Sequence, residues 1–281
     1  MKPQPPPSGP APAEGLRPAR ELPRTHGNPP FSVVLLHGGP GALGDMAPVA
    51  RVLAAHLGVL EPFGTARSVE GQIADLHRDV TSEASFPIVL AGHSWGAWLG
   101  LLFTARYPDL VRKLILIGCP PFEESFEDQV PATRASRLTV AEAAELERTL
   151  RALSDPANSD RDALLGRLGE LTTKTDAFDP IPEPPPGDGP RRLPGELFRR
   201  VWSEAAAMRR SGRLLELAGG LRCPVVAIHG DYDPHPASGV VGPLRRLLSE
   251  VRLHVLARCG HTPWKERQAR DEFLRLLVDE T

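Results

Sequence analysis

One serine of this sequence lies where its hydroxyl could act as a nucleophile. Ser94 is the central residue of GHSWG (92–96), which follows the apolar run PIVLAG (87–92) and begins a segment rich in small and apolar residues. The pattern G-x-S-x-G between a strand and a helix is typical of a sharp turn that lifts the serine above the end of a sheet. The helix that follows would direct its positive N-terminal dipole at the serine. The alternative interpretation is an N-cap serine that begins an ordinary helix.

A serine hydroxyl is a poor nucleophile at neutral pH, so it needs a base, and the base needs an orienting acid. His261 is the candidate base, because it lies in CGHTPW between the last predicted strand and the last predicted helix. The acid is expected in the loop after PVVAIHG (224–230), where Asp231 and Asp233 are both eligible. We favour Asp233, because the loop has room to turn it toward His261, whereas Asp231 is better placed to bind loop backbone.

A glycine-rich loop earlier in the chain could supply the hydrogen-bond donors that acyl transfer needs. HGGPG (37–41) follows the β-branched run FSVVLLH (31–37). A tetrahedral intermediate needs backbone N–H groups aimed at its oxyanion, and glycine allows the close approach and unusual backbone angles of such a loop. We predict that the amides of Gly39 and Trp95 are these donors.

The same loop also fits a different chemistry. Three glycines of residues 39–44 form a G-x-G-x-x-G pattern after a strand, and Glu61 follows at the distance seen in dinucleotide-binding folds. Pro40 removes one backbone N–H that a pyrophosphate would use. This interpretation also leaves the serine, the aspartates and the histidine unexplained. A nucleotide-dependent oxidoreductase therefore ranks behind a hydrolase, and we expect no cofactor.

The segment that carries the candidate acid also contains residue types that bind metal ions. His229, Asp231, Asp233 and His235 alternate along it, so an extended chain could present them as ligands. On a strand, however, His229 would point into the core, and the prolines at 234 and 236 interrupt the pattern. We therefore expect no metal site.

These candidates must be positioned by a fold in which strands and helices alternate. Apolar, strand-like runs lie at 31–37, 59–63, 87–92, 111–118, 224–230 and 251–257. Helical patterns lie at 45–57, 68–83, 94–107, 239–250 and 264–279. This alternation implies right-handed crossovers, so we predict an α/β fold with a mostly parallel sheet of about six strands flanked by helices.

Two stretches depart from the alternation. Residues 1–30 are rich in proline and nearly free of large apolar side chains, which favours a disordered tail. Residues 120–221 carry only helical patterns, at 139–153, 160–173 and 196–218, interrupted by a Pro/Gly stretch. We predict a core made of residues 31–119 and 222–281, with residues 120–221 forming an inserted helical cap.

Composition excludes several classes of function. The 281 residues carry 33 Lys and Arg against 35 Asp and Glu, a net charge of −2 that argues against nucleic-acid binding. No apolar run reaches the roughly 20 residues that span a membrane, and we see no secretory signal. Three widely spaced cysteines do not form a disulfide framework, which favours a reducing, cytoplasmic location.

The motifs HGGPG, GHSWG, GDYD and CGH, in this order, resemble those of the α/β-hydrolase superfamily. The HGGPG and SWG pair resembles its proline iminopeptidase-like branch, whose helical cap is inserted where residues 120–221 lie. The resemblance covers residues 31–280 and implies a triad of Ser94, Asp233 and His261 with an oxyanion hole of Gly39 and Trp95. Two features depart from the branch: no antiparallel strand pair is predicted before HGGPG, and His93 stands where iminopeptidases usually have glycine.

The resemblance also suggests where a substrate could bind. Iminopeptidases of this branch hold a substrate ammonium with carboxylates of the cap, and the cap of this chain begins with PFEESFEDQV (121–130). Glu123, Glu124 and Glu127 are therefore offered as substrate-binding residues. The alternative is a solvated acidic face at the start of a helix.

The expected function is a cofactor-independent serine hydrolase that forms an acyl-enzyme on Ser94. A small carboxylic ester and an N-terminal Pro-type amide rank nearly level as its substrate, so the expected partner is a small molecule or a short peptide. The alternative is a non-catalytic ligand-binding protein on a hydrolase scaffold.

Overall fold

The computed structural model of the chain describes residues 22–155, 160–182, 191–192 and 195–281. Its centre is a seven-stranded sheet in the order β1-β4-β2-β5-β6-β8-β9, and a two-stranded sheet pairs β3 with β7. The strands are β1 (Arg24–His26), β2 (Phe31–Leu36), β3 (Ala42–Leu43), β4 (Gly58–Glu61), β5 (Ile88–His93), β6 (Val111–Ile117), β7 (Arg191–Arg192), β8 (Val225–Gly230) and β9 (Val251–Leu256). Neighbouring strands of the large sheet are parallel, except that β1 runs antiparallel to β4.

Helices cover both faces of this sheet. They are α1 (Ala47–Leu53), α2 (Val69–Glu83), α3 (Trp95–Arg106), α4 (Glu124–Glu127), α5 (Val130–Ser136), α6 (Val140–Ser154), α7 (Arg161–Asp176), α8 (Gly195–Arg210), α9 (Arg213–Ala218), α10 (Ser238–Arg245) and α11 (Arg270–Glu280). Alternate residues of β2 enter different apolar clusters: Val34 and Leu36 pack with α2 and α3, whereas Val33 and Leu35 pack with α1 and α11. The continuous apolar runs of the sequence therefore reflect a sheet buried on both faces.

The predicted α/β-hydrolase fold with a mostly parallel sheet is confirmed, but the sheet has one strand more than the sequence indicated. β1 lies inside residues 1–30, which the sequence analysis assigned to a tail. It pairs with β4 over three residues only, and His26 Nε2 lies 3.1 Å from Glu61 Oε2. A three-residue polar edge strand carries no hydrophobic periodicity, so the sequence pattern could not reveal it. Residues 1–21 of the expected tail lie outside the described residues.

The helices α4 to α9 follow β6 and precede β8, at the place where the cap was expected. The helical pattern at 196–218 corresponds to two helices, α8 and α9, because Gly212 at φ +75° ends one and begins the next. β7 also belongs to this segment, and its pairing with β3 ties the segment to the loop after β2. Across the described ranges, no helix combines the length and the apolar character needed to cross a bilayer.

Candidate active site

Ser94 occupies a strained turn between β5 and α3. Its backbone lies at φ 52° and ψ −116°, a conformation that a residue with a side chain rarely adopts. Such strain costs of order 1–3 kcal/mol and persists only where the surroundings enforce it. The glycines on either side make room for this turn: a Cβ on Gly92 would collide with the Gly96 carbonyl, and a Cβ on Gly96 would lie 2.6 Å from the Leu36 carbonyl oxygen. The sharp turn therefore depends on the two glycines of GHSWG.

The structure brings the candidate acid and base together at the carboxyl ends of the strands. Asp233 follows β8, and His261 lies in the loop after β9. His261 Nδ1 donates to Asp233 Oδ2 at 2.8 Å, and the Asp233 side chain is fully buried. Because Nδ1 carries the hydrogen, Nε2 of His261 is left as the basic nitrogen. Asp231 instead accepts a hydrogen bond from the backbone N–H of Cys259.

Two contacts place the serine beside this pair. His93, the residue before Ser94, donates from Nε2 to the backbone oxygen of His261 at 2.9 Å, and the two imidazole rings lie 4.8 Å apart. On the other side, a Cβ added to Gly38 would lie 3.4 Å from Ser94 Cβ. The turn of residues 92–96, which we call the elbow, and the segment of residues 257–267 after β9, which we call the histidine loop, therefore meet the HGGPG loop at one edge of the sheet.

Two histidines that the sequence analysis did not assign to the site also contact Asp233. The backbone N–H and the Nδ1 of His235 both donate to Asp233 Oδ1, at 2.9 and 2.8 Å. His229 Nε2 lies 3.4 Å from Asp233 Oδ2 and donates to the His235 carbonyl oxygen at 2.6 Å. The alternation of histidines and aspartates over residues 229–235 was the available signal, but His229 and His235 were interpreted only as metal ligands.

The same geometry bears on the metal interpretation. Ligand atoms of Asp233, His235 and His261 lie within 4.8 Å of one another, which is close enough to surround an ion. However, the Nδ1 atoms of both histidines point at an ionised carboxylate and must carry hydrogen to donate to it. The nitrogens that face the carboxylate are therefore donors rather than ligands, and the cluster is accounted for by hydrogen bonding.

The surroundings of Asp233 and His261 shift the pKa values of these two side chains in opposite directions. Burial acts to raise the pKa of Asp233, but the charges of His261, His235 and His229 and the hydrogen bond from His235 hold it well below its usual range. For His261, burial acts to lower the pKa, while the charge and hydrogen bond of Asp233 outweigh it and raise the pKa above the ordinary histidine value. Burial and the nearby His261 lower the pKa of His93 to about 3, so His93 stays neutral.

The predicted oxyanion donors border the elbow. Gly39 lies at φ +49°, a conformation that favours glycine, and its carbonyl accepts from the N–H of Ala42. Trp95 is the first residue of α3, and the first N–H groups of a helix have no acceptor inside the helix. Glu61, which a dinucleotide site would place on a ribose, is fully buried at the end of β4 and pairs with His26 instead.

The three glutamates of the predicted substrate site are each paired with an arginine. Glu124 Oε2 accepts from Arg209 Nε at 2.9 Å, and Glu127 Oε2 lies 3.0 Å from Arg209 Nη1. Glu123 pairs with Arg246. Arg209 is only 6% exposed, so its guanidinium interacts with these carboxylates rather than with solvent. A substrate ammonium would have to compete with a cation already in place.

Aromatic side chains stand beside the HGGPG loop instead. Trp98 of α3 stacks on Trp202 of α8 at 5.6 Å between ring centroids, and Phe198 stacks on Trp202 at 6.0 Å. A Cβ added to Gly39 would lie 4.0 Å from Phe198 Cε2. We call Trp98, Trp202 and Phe198 the aromatic wall. Phe198 and Trp202 were not predicted from the sequence, because the helical pattern of α8 does not show which face of the helix meets the loop.

Comparisons with known proteins agree with this fold. A family model described as the alpha/beta hydrolase fold matches residues 86–267. The chain is 27% identical over 270 residues to a 2-hydroxy-6-oxo-2,4-heptadienoate hydrolase of Pseudomonas putida, covering 90% of this chain and 88% of the relative. It is 28% identical over 260 residues to a pimeloyl-(acyl-carrier protein) methyl ester esterase of Chromobacterium violaceum, covering 88% and 92%.

Two solved structures illustrate the shared architecture. VinJ superposes with a TM-score of 0.63 at 19% identity, over 92% of this chain and 93% of that one. Proline iminopeptidase of Mycobacterium smegmatis superposes with a TM-score of 0.61 at 15% identity, over 92% of each chain. Identities this low establish a common fold and say nothing about a common substrate.

Proposed function

Because the chain belongs to the alpha/beta hydrolase fold family, we propose that it is a serine hydrolase in which Ser94, His261 and Asp233 form the catalytic triad. The observation that carries this proposal is the hydrogen bond from His261 Nδ1 to the buried Asp233, next to a serine held at φ 52°. A strained nucleophile, a base and an orienting acid on separate loops of one sheet edge are the groups that acyl transfer requires.

The mechanism follows from the positions of these groups. His261 Nε2 takes the proton of the Ser94 hydroxyl as its oxygen attacks the substrate carbonyl carbon. The N–H groups of Gly39 and Trp95 donate to the oxygen that becomes negative. When the tetrahedral intermediate collapses, His261 returns the proton to the leaving group. Water, deprotonated by His261, then attacks the acyl-enzyme, and His261 returns this proton to the Ser94 oxygen as the acid leaves.

We propose a carboxylic ester with an apolar acyl group as the substrate, in preference to an N-terminal Pro-type amide. Arg209 pairs with both Glu124 and Glu127, so a substrate ammonium would have to displace a buried cation that already occupies these carboxylates. Phe198 and Trp202 are the half-buried members of the aromatic wall, and Phe198 lies beside the HGGPG loop, so these two rings provide uncharged surface for an acyl chain. The curated relatives act, by their names, on a methyl ester and on a heptadienoate, and neither name indicates a peptide.

Fluorophosphonate labelling with intact-mass detection tests the nucleophile without knowledge of the substrate. We expect one adduct on the wild type and none on Ser94→Ala, because only an activated serine reacts. Hydrolysis of p-nitrophenyl esters should fall by roughly 10³- to 10⁴-fold in Asp233→Asn. Asp231→Asn is the matched control and should keep its activity, because an asparagine can still accept from Cys259 N–H.

The outcomes separate the candidate functions. Ester turnover without cleavage of proline p-nitroanilide supports the ester proposal, and the reverse preference would show that the cap carboxylates do bind an ammonium. A folded wild type that neither reacts with fluorophosphonate nor turns over any ester would favour the non-catalytic binding protein. The cytoplasmic location expected from the cysteine pattern stays a prediction.

A further inference from the structure

A buried glutamate next to the candidate site has no role in the mechanism described above. Glu266 follows the short 3-10 helix Pro263–Lys265 and is only 1% exposed. Three backbone N–H groups donate to its carboxylate: Gly260 and Phe178 to Oε1, both at 2.9 Å, and Asp179 to Oε2 at 2.8 Å. A buried carboxylate is costly unless its oxygens are hydrogen-bonded, so these bonds explain how the charge is tolerated.

The donors come from two segments that are far apart in the sequence. Gly260 immediately precedes the candidate base, whereas Phe178 and Asp179 follow α7. We call residues 177–182 the strap. Further backbone bonds hold it against the histidine loop: Ile181 N–H donates to the Lys265 carbonyl at 2.7 Å, and Arg267 N–H donates to the Asp179 carbonyl at 3.0 Å. Glu266 is therefore the side chain that fastens the end of α7 to the histidine loop.

The backbone of His261 itself depends on this junction. Its N–H donates to the carbonyl of Asp176, the last residue of α7, at 2.7 Å. Its carbonyl accepts from His93 Nε2 at 2.9 Å. The side chain of Asp176 is fixed in turn by two bonds from Arg134 of α5, at 2.8 and 2.6 Å. The position of the imidazole is thus set on one side by the elbow and on the other side by α5 and α7.

The packing at Gly260 shows how closely the two segments approach. A Cβ at this position would collide with the Asp176 carbonyl oxygen, and the Glu266 carboxylate lies on the same side. An outward movement of the end of α7 and the strap would therefore leave the N–H of His261 without its acceptor and the Glu266 carboxylate without two of its three donors. Unpaired buried donors are unfavourable, so the junction is either formed completely or opened as a whole.

We propose that Glu266 is a positioning residue, which fastens the strap to the histidine loop and so keeps His261 aligned with Ser94 only while α7 and the strap are docked on the core. The proposal rests on the proposed function, since it concerns the same base. Glu266 itself touches neither Ser94 nor a substrate carbonyl in this mechanism. It acts through the backbone of Gly260 and His261, and reactions of this kind are sensitive to shifts of about 1 Å.

Glu266→Gln tests the proposal with little change in side-chain volume. An amide can accept at only one of the two oxygen positions, so at least one of the three N–H groups loses its acceptor. Glu272→Gln is the matched control, because Glu272 lies on the exposed surface of α11 and its replacement removes the same charge. The readouts are kcat and KM for a p-nitrophenyl ester, the rate of fluorophosphonate labelling, and Tm.

We expect Glu266→Gln to lower kcat and the labelling rate together by about tenfold or more, with KM changed less than about twofold. Glu272→Gln should match the wild type. If Glu266→Gln lowers Tm but has the wild-type kcat when measured well below that Tm, Glu266 is merely structural and the proposal is wrong. A wild type that does not react at Ser94 refutes the proposed function instead, so the two failures are distinguishable.

Hydrogen exchange on the wild type provides a second test that does not depend on the folding of a variant. The amides of Phe178, Asp179 and His261 all donate across the junction. If the junction opens as a unit, these amides should share one free energy of opening once each rate is corrected for its intrinsic exchange rate. Corrected exchange of the two strap amides about 100-fold faster than that of His261 would show that the strap opens alone, and would overturn the proposal.

Discussion

Asp233 accepts more hydrogen bonds than the orientation of one histidine requires. Oδ2 accepts from His261, while Oδ1 accepts from both the backbone and the ring of His235. With both oxygens held, rotation of the carboxylate would break at least two charge-assisted bonds. The ring of His261 is therefore aligned by an acid that is itself fixed, as the support of catalytic groups by further hydrogen bonds requires.

The pH dependence of hydrolysis should follow the protonation of His261. The base must be neutral to take the Ser94 proton, and Asp233 raises the pKa of His261 above 6.5. We therefore expect kcat/KM to rise with pH along an acid limb whose apparent pKa lies above 6.5. In Asp233→Asn the limb should move to lower pH, because the negative charge that stabilises the imidazolium is gone.

The measurement is kcat/KM for a neutral ester from mildly acidic to mildly basic pH, with Asp231→Asn as the control that leaves the limb in place. An acid limb that does not move in a folded Asp233→Asn variant would show that the two side chains are not coupled. That result would contradict the assigned pairing.

Among the elements, the turn from β5 to α3 is the one whose sequence is most constrained. Strand β5 lies in the middle of the sheet, with β2 and β6 on either side, so the position of its carboxyl end is fixed by ladders on both edges. The Ser94 N–H donates to the Ile117 carbonyl of β6 at 2.9 Å, which anchors the strained residue to the neighbouring strand. The strain at Ser94 is therefore supported by the sheet rather than by the serine itself.

Alanine substitutions at two helical glycines should have opposite effects on stability. In Gly96→Ala the new Cβ would lie 2.6 Å from the backbone carbonyls of Leu36 and His37, which cannot move aside easily. We expect a loss of about 2 kcal/mol or more in the free energy of unfolding, together with loss of activity. Gly166 of α7 is the matched control, because a Cβ there meets no atom within 4 Å.

Gly166→Ala should stabilise the protein by about 0.5–1 kcal/mol, since alanine loses less backbone entropy than glycine in a helix. Urea denaturation measures both changes. Equal effects of the two substitutions would show that the close approach of α3 to β2 does not constrain the elbow.

At the scale of the whole molecule, the segment between β6 and β8 reaches the site from two directions. On one side β7 pairs with β3 in the loop after β2, and α8 carries Phe198 to the same loop. On the other side the end of α7 meets the histidine loop through Glu266. One continuous stretch of chain therefore contacts both the HGGPG loop and the histidine loop, although these follow different strands of the core.

Removal of the outermost ring of the aromatic wall should change substrate preference more than catalysis. In Phe198→Ala we expect KM for a medium-chain acyl ester to rise by about tenfold, because the acyl chain loses apolar contact, while kinetics on an acetate ester change little. Phe86→Ala is the matched control, since that phenylalanine is exposed and precedes β5, at the opposite end of the strand from Ser94. If Phe198→Ala lowers kcat/KM equally for both esters, the ring lies outside the acyl-binding surface.

The sequence alone determined the features that depend on local pattern. Six continuous apolar runs alternating with helical periodicity define a parallel sheet buried on both faces. The glycines around Ser94 and in HGGPG mark turns that only glycine tolerates. Because the ends of parallel strands meet at one sheet edge, the order of the motifs already indicated that Ser94, Asp233 and His261 would lie together.

Only the tertiary structure decided what depends on contacts between distant segments. The ion pairs of Glu124 and Glu127 with Arg209, the stacking of Phe198 and Trp202, and the bonds of Glu266 join residues far apart in the chain. The short edge strand β1 is likewise formed by pairing rather than by its own apolar pattern. A side chain's type and periodicity indicate whether it is buried, but its partner is set by packing, which no local pattern contains.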